Sequence, residues 1–199
     1  MKRLFQLGLV LLFATAIPAY AQHGGATAAL PAVTAAKEAA QFDFLIGQWE
    51  IELTPKVSGL AAMIHGAPKL LGSWNAWRAF DGFGIDDEMR VVDGSGNPVT
   101  LTHALRIYDS NGKRWLITGL DVYRARFSSA TGVWQDGEMQ INGSGMNNEG
   151  KAYLSRTRFF EISADGFRMQ QDRSVDGGGS WEEAAIAIVA KRVAAKAPR

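Results

Sequence analysis

From Gln48 to Arg192 the chain is written in short runs in which apolar and polar residues alternate, and each run ends in Gly, Asn or Asp. A period of two places successive side chains on opposite faces, which is the pattern of strands with one face buried. Strand-like runs fall at about 48–54, 73–80, 85–92, 99–109, 113–124, 133–141, 151–162, 166–174 and 180–192. The turn signals are Asp93-Gly94-Ser95-Gly96-Asn97, Ser110-Asn111-Gly112, Ala130-Thr131-Gly132, Asn142-Gly143-Ser144-Gly145, Asp165-Gly166 and Asp176-Gly177-Gly178-Gly179. This spacing predicts an all-β fold, a single antiparallel up-and-down barrel of about nine or ten strands, because closure removes the open edges of a flat meander.

Two segments depart from the alternation. Phe42-Asp43-Phe44-Leu45-Ile46-Gly47-Gln48-Trp49 opens the series, with a Gly that lets the chain turn in tightly and a Trp placed to plug the barrel end. Between the first two strands, Thr54-Pro55 offers a helix start, and Gly66 with Pro68 offers a stop. Val57, Leu60, Ala61 and Ile64 then share one helical face, which predicts a short lid helix. Gly59 weakens that helix by about 1 kcal/mol relative to Ala.

The first 21 residues read as a signal peptide: Lys2 and Arg3, an apolar stretch from Leu7 to Ile17, then Ala19-Tyr20-Ala21 before the cut. The apolar stretch is shorter than the ~20 residues a membrane span needs, so no membrane insertion is expected after cleavage. Cleavage leaves 178 of the 199 residues, enough for one domain with an ordinary core. Residues 22–41 read as an Ala/Gly-rich spacer, with Thr34 to Gln41 as a short helix leading in; residues 42–193 form the barrel domain and 194–199 a tail. The expected location is periplasmic or secreted. The chain has no Cys, so disulfides play no part and no lipid-anchored junction exists. Without Lys2 and Arg3, 19 basic side chains face 20 acidic ones, a net charge of −1 that argues against nucleic acid as a partner.

Three motifs together carry a resemblance: Phe42-Asp43-Phe44-x-x-Gly47-x-Trp49, Tyr108-Asp109-x-x-Gly112-x-x-Trp115 and Ser174-x-Asp176-Gly177-Gly178-x-x-Trp181. Over most of residues 42–192 the chain resembles a family of exported bacterial domains of unknown function with a lipocalin-like (calycin) barrel. The resemblance implies a cup-shaped cavity and a first-strand Trp, here Trp49 after Gly47, packed against a late basic side chain, Arg192 or Lys191. It implies no reaction. Haem-binding nitrobindin-like barrels share the Gly-x-Trp opening but carry a proximal His near the chain end, and Trp181 to Val193 has none. No haem or other cofactor is therefore expected.

The imidazoles are His23, His65 and His103, with no His-x-x-x-His or His-Glu-x-x-His spacing, so no metal site is expected. His103 shares a strand face with Leu101, Leu105 and Ile107; it reads as a buried or rim histidine held by hydrogen bonds, or as an axial haem ligand or general base in the cavity. His65 ends the lid, either solvated or touching a ligand at the mouth. Asp86-Asp87-Glu88 alternates faces and reads as a solvated acidic edge. Arg124 and Arg126 share one face, Arg156 and Arg158 another, and Arg106, Arg168 and Arg173 lie on neighbouring runs. Such arginines either line the solvated outside or grip an anion by bidentate bonds inside. Trp115, Trp134 and Trp181 follow turn glycines and belong to the barrel ends or to an aromatic rim.

The expectation that results is an exported, non-catalytic barrel binding a small amphipathic or anionic molecule through His65, His103, Arg106, Arg124, Arg156, Trp115 and Trp181. An enzyme using His103 as base in the same cavity, and a structural or interaction module of the cell envelope, are the alternatives.

Overall fold

The computed structural model describes residues 33–57, 66–147 and 149–194. The segments read as signal peptide, as spacer up to residue 32, as the body of a lid helix with His65, and as tail from residue 195 lie outside the described residues, as does residue 148. Ten antiparallel strands follow one another: β1 (Gly47–Pro55), β2 (Leu70–Ala79), β3 (Gly84–Val92), β4 (Pro98–Asp109), β5 (Arg114–Asp121), β6 (Arg126–Gln135), β7 (Glu138–Met146), β8 (Ala152–Phe160), β9 (Gly166–Ser174) and β10 (Glu182–Arg192). Each pairs with the next in sequence and β1 pairs with β10, which closes the barrel.

The wall differs from the sequence reading at β6 and β7. Ala130-Thr131-Gly132 and Asn142-Gly143-Ser144-Gly145 are strand interior, with Ala130 opposite Gly143 and Thr131 opposite Asn142 across the ladder. The turns fall instead at Asp136-Gly137, both at positive φ, and between β7 and β8, where the Gly150 N–H donates to the Asn147 carbonyl at 2.9 Å. The glycines are there for close approach: a Cβ on Gly132 would press on Ile141 and Met139, and one on Gly143 would lie 2.9 Å from the Ala130 Cβ. Pro55 likewise ends β1, paired with Ile186, so Thr54 and Pro55 belong to the strand.

Residues Lys37–Leu45 form a 3₁₀ segment before β1, with Ala39, Phe42 and Leu45 buried. The packed unit therefore begins within the stretch read as spacer. Asp43 binds Arg78 of β2, which also donates to the Ala39 carbonyl at 2.8 Å, so the segment is anchored to the wall. It stoppers one barrel end. Phe42 meets Trp115 edge-on at 4.8 Å, Phe44 meets Phe159 at 5.6 Å, and Trp49 meets Phe167 at 4.9 Å. Each such ring adds about 1.5–3 kcal/mol when taken fully out of water, plus about 0.5–1.5 for the aromatic geometry.

Closure is completed by Trp49 and Arg192, cross-strand partners in β1 and β10. The guanidinium lies 4.0 Å over the indole, and its Nη1 and Nε donate to the carbonyls of Ile46 (3.0 Å) and Ala164 (2.6 Å). Gly47, at φ +134°, makes room: a Cβ there would collide with Arg192 Nη1.

Candidate functional site

Cross-strand partners in an antiparallel ladder share a face, so one set of inward residues can be traced around the ring. Trp49, Trp74 and Met89 face inward, and with them Thr102, Asp121 and Arg126. Gly143, Ser155 and Arg173 continue the set through β7, β8 and β9. Away from the aromatic stopper these side chains enclose a cavity of about 320 Å³ with an adjoining space of about 160 Å³. Trp74, Ile117, Met169 and Ile188 make its deep part apolar; Thr102, Asp121, Arg126, Ser128, Tyr153, Gln171 and Arg173 make its upper wall polar.

A buried ion pair separates cavity and stopper. Arg106 donates to Asp87 through Nε at 2.7 Å and Nη2 at 3.1 Å, and Trp74 Nε1 donates to the same carboxylate at 2.8 Å. Arg106 also lies 5.1 Å over the Phe42 ring. The geometry is bidentate, which lets two charges stand where unpaired ones would cost several kcal/mol. Arg106 thus lines the cavity floor with its charge already matched.

The other site residues read from the sequence scatter. Trp115 is fully buried in the stopper, its Nε1 donating to Gln41 at 3.0 Å, and does not reach the cavity. Arg124 lies in the β5–β6 turn, bound to Asp121 at 2.9 Å and at 3.4 Å from the Val99 carbonyl. Arg156 and Trp181 pack on each other at 3.8 Å on the outer wall, since inward positions of β8 are Tyr153, Ser155, Thr157 and Phe159. Trp134 is the last residue but one of β6, near Phe44.

His103 is a correction. Its face carries Leu105 and Ile107, which are 38% and 41% exposed, while Arg106 between them is buried. The face is therefore the outside of the barrel. There the His103 Nε2 lies 2.7 Å from Asp86 Oδ1, close but not oriented as a hydrogen bond, with Trp77 at 6.3 Å. His103 borders the cavity between Thr102 and Ala104, but its imidazole lies on this outer face beside Asp86 rather than among the inward side chains. Among the described residues no group of three or more His, Cys, Asp and Glu is placed to hold a metal ion.

Three inward residues did not stand out in sequence as a set: Arg126, Tyr153 and Arg173. Arg173 had a signal, because Phe167, Met169, Gln171 and Arg173 alternate from an apolar face. Arg126 had a misleading one, since the outward Phe127 beside it is more hydrophobic than any inward neighbour except Trp134.

Titration is perturbed outside the cavity. Burial pushes the Tyr108 hydroxyl up, helped by the charges of Glu38 and Asp109. The Ser180 hydroxyl and backbone N–H, then Ser174, hold Asp176 far below the usual carboxylate range. Asn97 does the same, less strongly, for Asp93. These two aspartates organise turns at the open end: Asp176 accepts from Ser174 Oγ at 2.7 Å and Ser180 Oγ at 2.6 Å.

No protein-family model and no curated protein matches the chain. Among solved structures, it is similar to the S-type phycobiliprotein lyase CPES from Guillardia theta. The match has a TM-score of 0.51 and 9% identity over 78% of this chain and 92% of that one. At that identity the likeness shows the fold, a calycin-like barrel, and nothing of the site.

Proposed function

We propose that this chain is an exported binding barrel that holds a small amphipathic molecule and performs no chemistry on it, within the family of lipocalin-like domains its motifs resemble. The observation that carries the reading is the cavity: about 320 Å³, apolar at depth, polar above, in a barrel stoppered at the other end. That volume is in the range of small-molecule sites. The solved lyase structure supports the architecture alone. Export rests on the N-terminal pattern, and the non-catalytic reading on the placement of His103 outside the barrel and on an Arg106–Asp87 pair already satisfied.

Uptake of the neutral fluorophore N-phenyl-1-naphthylamine tests it. Saturable fluorescence enhancement is expected, and Ser128→Phe, which fills both spaces from the β6 wall, is expected to abolish it with circular dichroism unchanged. Equal uptake by Ser128→Phe would place the probe elsewhere and remove the cavity as the site.

A further inference from the structure

Three arginines line the cavity and a fourth, Arg124, lies in the β5–β6 turn; they divide into two kinds. Arg106 has Asp87 and Arg124 has Asp121 as bidentate or close partners. Arg126 and Arg173 have no carboxylate within ion-pair distance among the described residues. Arg126 donates to the Asn147 carbonyl, and Arg173 Nε donates to Gln171 Oε1 at 2.8 Å. Glu182, the cross-strand partner of Arg173, is exposed and makes no ion pair with it. Asp121, the cross-strand partner of Arg126, also lines the cavity but turns its carboxylate to Arg124 at 2.9 Å. Both arginines are half-buried in the cavity wall, so two positive charges face a partly desolvated space without an ion-pair partner of their own among the described residues.

Tyr153 lies between them. Its ring takes the Arg173 guanidinium at 4.7 Å and extends across Gly145, where an added Cβ would sit 2.7 Å from the hydroxyl. Gly145 is thus what allows the ring to lie flat across β7 toward β6, the strand of Arg126. Among the described residues nothing bonds to the Tyr153 hydroxyl. Two planar forks and one hydroxyl donor, all lacking an anionic partner, are the donor set that a carboxylate's lone pairs use.

We propose that Arg126, Tyr153 and Arg173 form a carboxylate site at the cavity mouth, which holds the head of an amphipathic monocarboxylate while its apolar tail lies against Ile117, Met169 and Ile188. The inference rests on the reading of the barrel as a small-molecule binder and adds the chemical class and orientation of what it binds. Arg106 takes no part, because its charge is already matched at the floor.

The test is displacement of N-phenyl-1-naphthylamine from the purified protein by four probes of one chain length: dodecanoate, dodecanol, dodecylamine and dodecyl phosphate. Dodecanoate is expected to displace at about tenfold lower concentration than dodecanol, the scale of hydrogen bonds to a charged group, and dodecylamine last. Arg126→Met and Arg173→Met are each expected to remove the advantage of dodecanoate and leave dodecanol unchanged. Tyr153→Phe loses one oxygen and keeps the ring; it is expected to weaken dodecanoate alone, and it carries the test if an arginine variant fails to fold. Equal displacement by dodecanoate and dodecanol overturns the carboxylate site and leaves the binder reading standing. A tenfold preference for dodecyl phosphate over dodecanoate overturns it in favour of a phosphate site. Absence of probe uptake by the folded protein overturns both readings.

Discussion

The two ends of this barrel are built from different residues and answer to different demands. At the stoppered end Phe42, Leu45, Trp49, Trp115 and Phe159 are all at most 2% exposed, and the polar atoms among them are matched: Trp49 Nε1 donates to the Leu45 carbonyl at 2.7 Å. At the open end the inward positions include Thr102, Ser128, Tyr153, Gln171, an Asp121 engaged with Arg124, and two arginines that form no ion pair among the described residues. The first arrangement lowers the free energy of the fold. The second gives up apolar burial for groups that are useful only when something else supplies their partners. Stability and binding are thereby separated along one barrel axis, with the Asp87–Arg106 pair at the boundary.

The largest effect that tests this contrast is at the stopper. Trp49→Ala is expected to cost about 3–5 kcal/mol in urea unfolding, the range for large buried truncations, whereas Arg173→Met at the mouth should stay within about 0.5 kcal/mol. Equal costs would end the division of labour. At the boundary, Asp87→Asn leaves the buried Arg106 charge without its counter-ion while keeping an acceptor for Trp74. A loss of about 3 kcal/mol is expected, and a neutral outcome would mean that water reaches the pair from the cavity. A smaller loss, about 1–3 kcal/mol, is expected for Gly47→Ala, which puts a Cβ at φ +134° and against Arg192. If the near-ultraviolet signal of Trp49 survived that change, Arg192 would not depend on Gly47 for its place.

The smallest effect belongs to the open end and depends on pH. Asp176 has its folded pKa depressed by Ser180 and Ser174, so its contribution is present above the unfolded value of about 4 and is lost as pH falls toward the folded one. Ser180→Ala should therefore be less stable than the parent at neutral pH, and the gap should narrow below about pH 4. A gap that widens on acidification would show that Ser180 acts by another route.

The alternation of residues, the glycine turns and the Phe42–Trp49 opening were enough to determine a closed antiparallel barrel of about ten strands. Those features are local, which is why a sequence shows them; a late basic partner for Trp49, Arg192 or Lys191, was implied by the family resemblance and not by the alternation. Even there, β6 and β7 were misplaced, since a glycine that permits close packing looks in sequence like one that permits a turn. Which face of each strand points inward was decided only by tertiary structure. A two-residue period defines two faces and labels neither, and the hydrophobic rule that would label them fails where the interior is a polar-lined cavity. Leu105 and Ile107 marked the His103 face as inner, yet that face is solvated wall, while Arg106 between them is buried against Asp87. Arg126, Tyr153 and Arg173 come from three strands and share no local pattern; the register and curl of the β6–β9 wall bring them to one mouth.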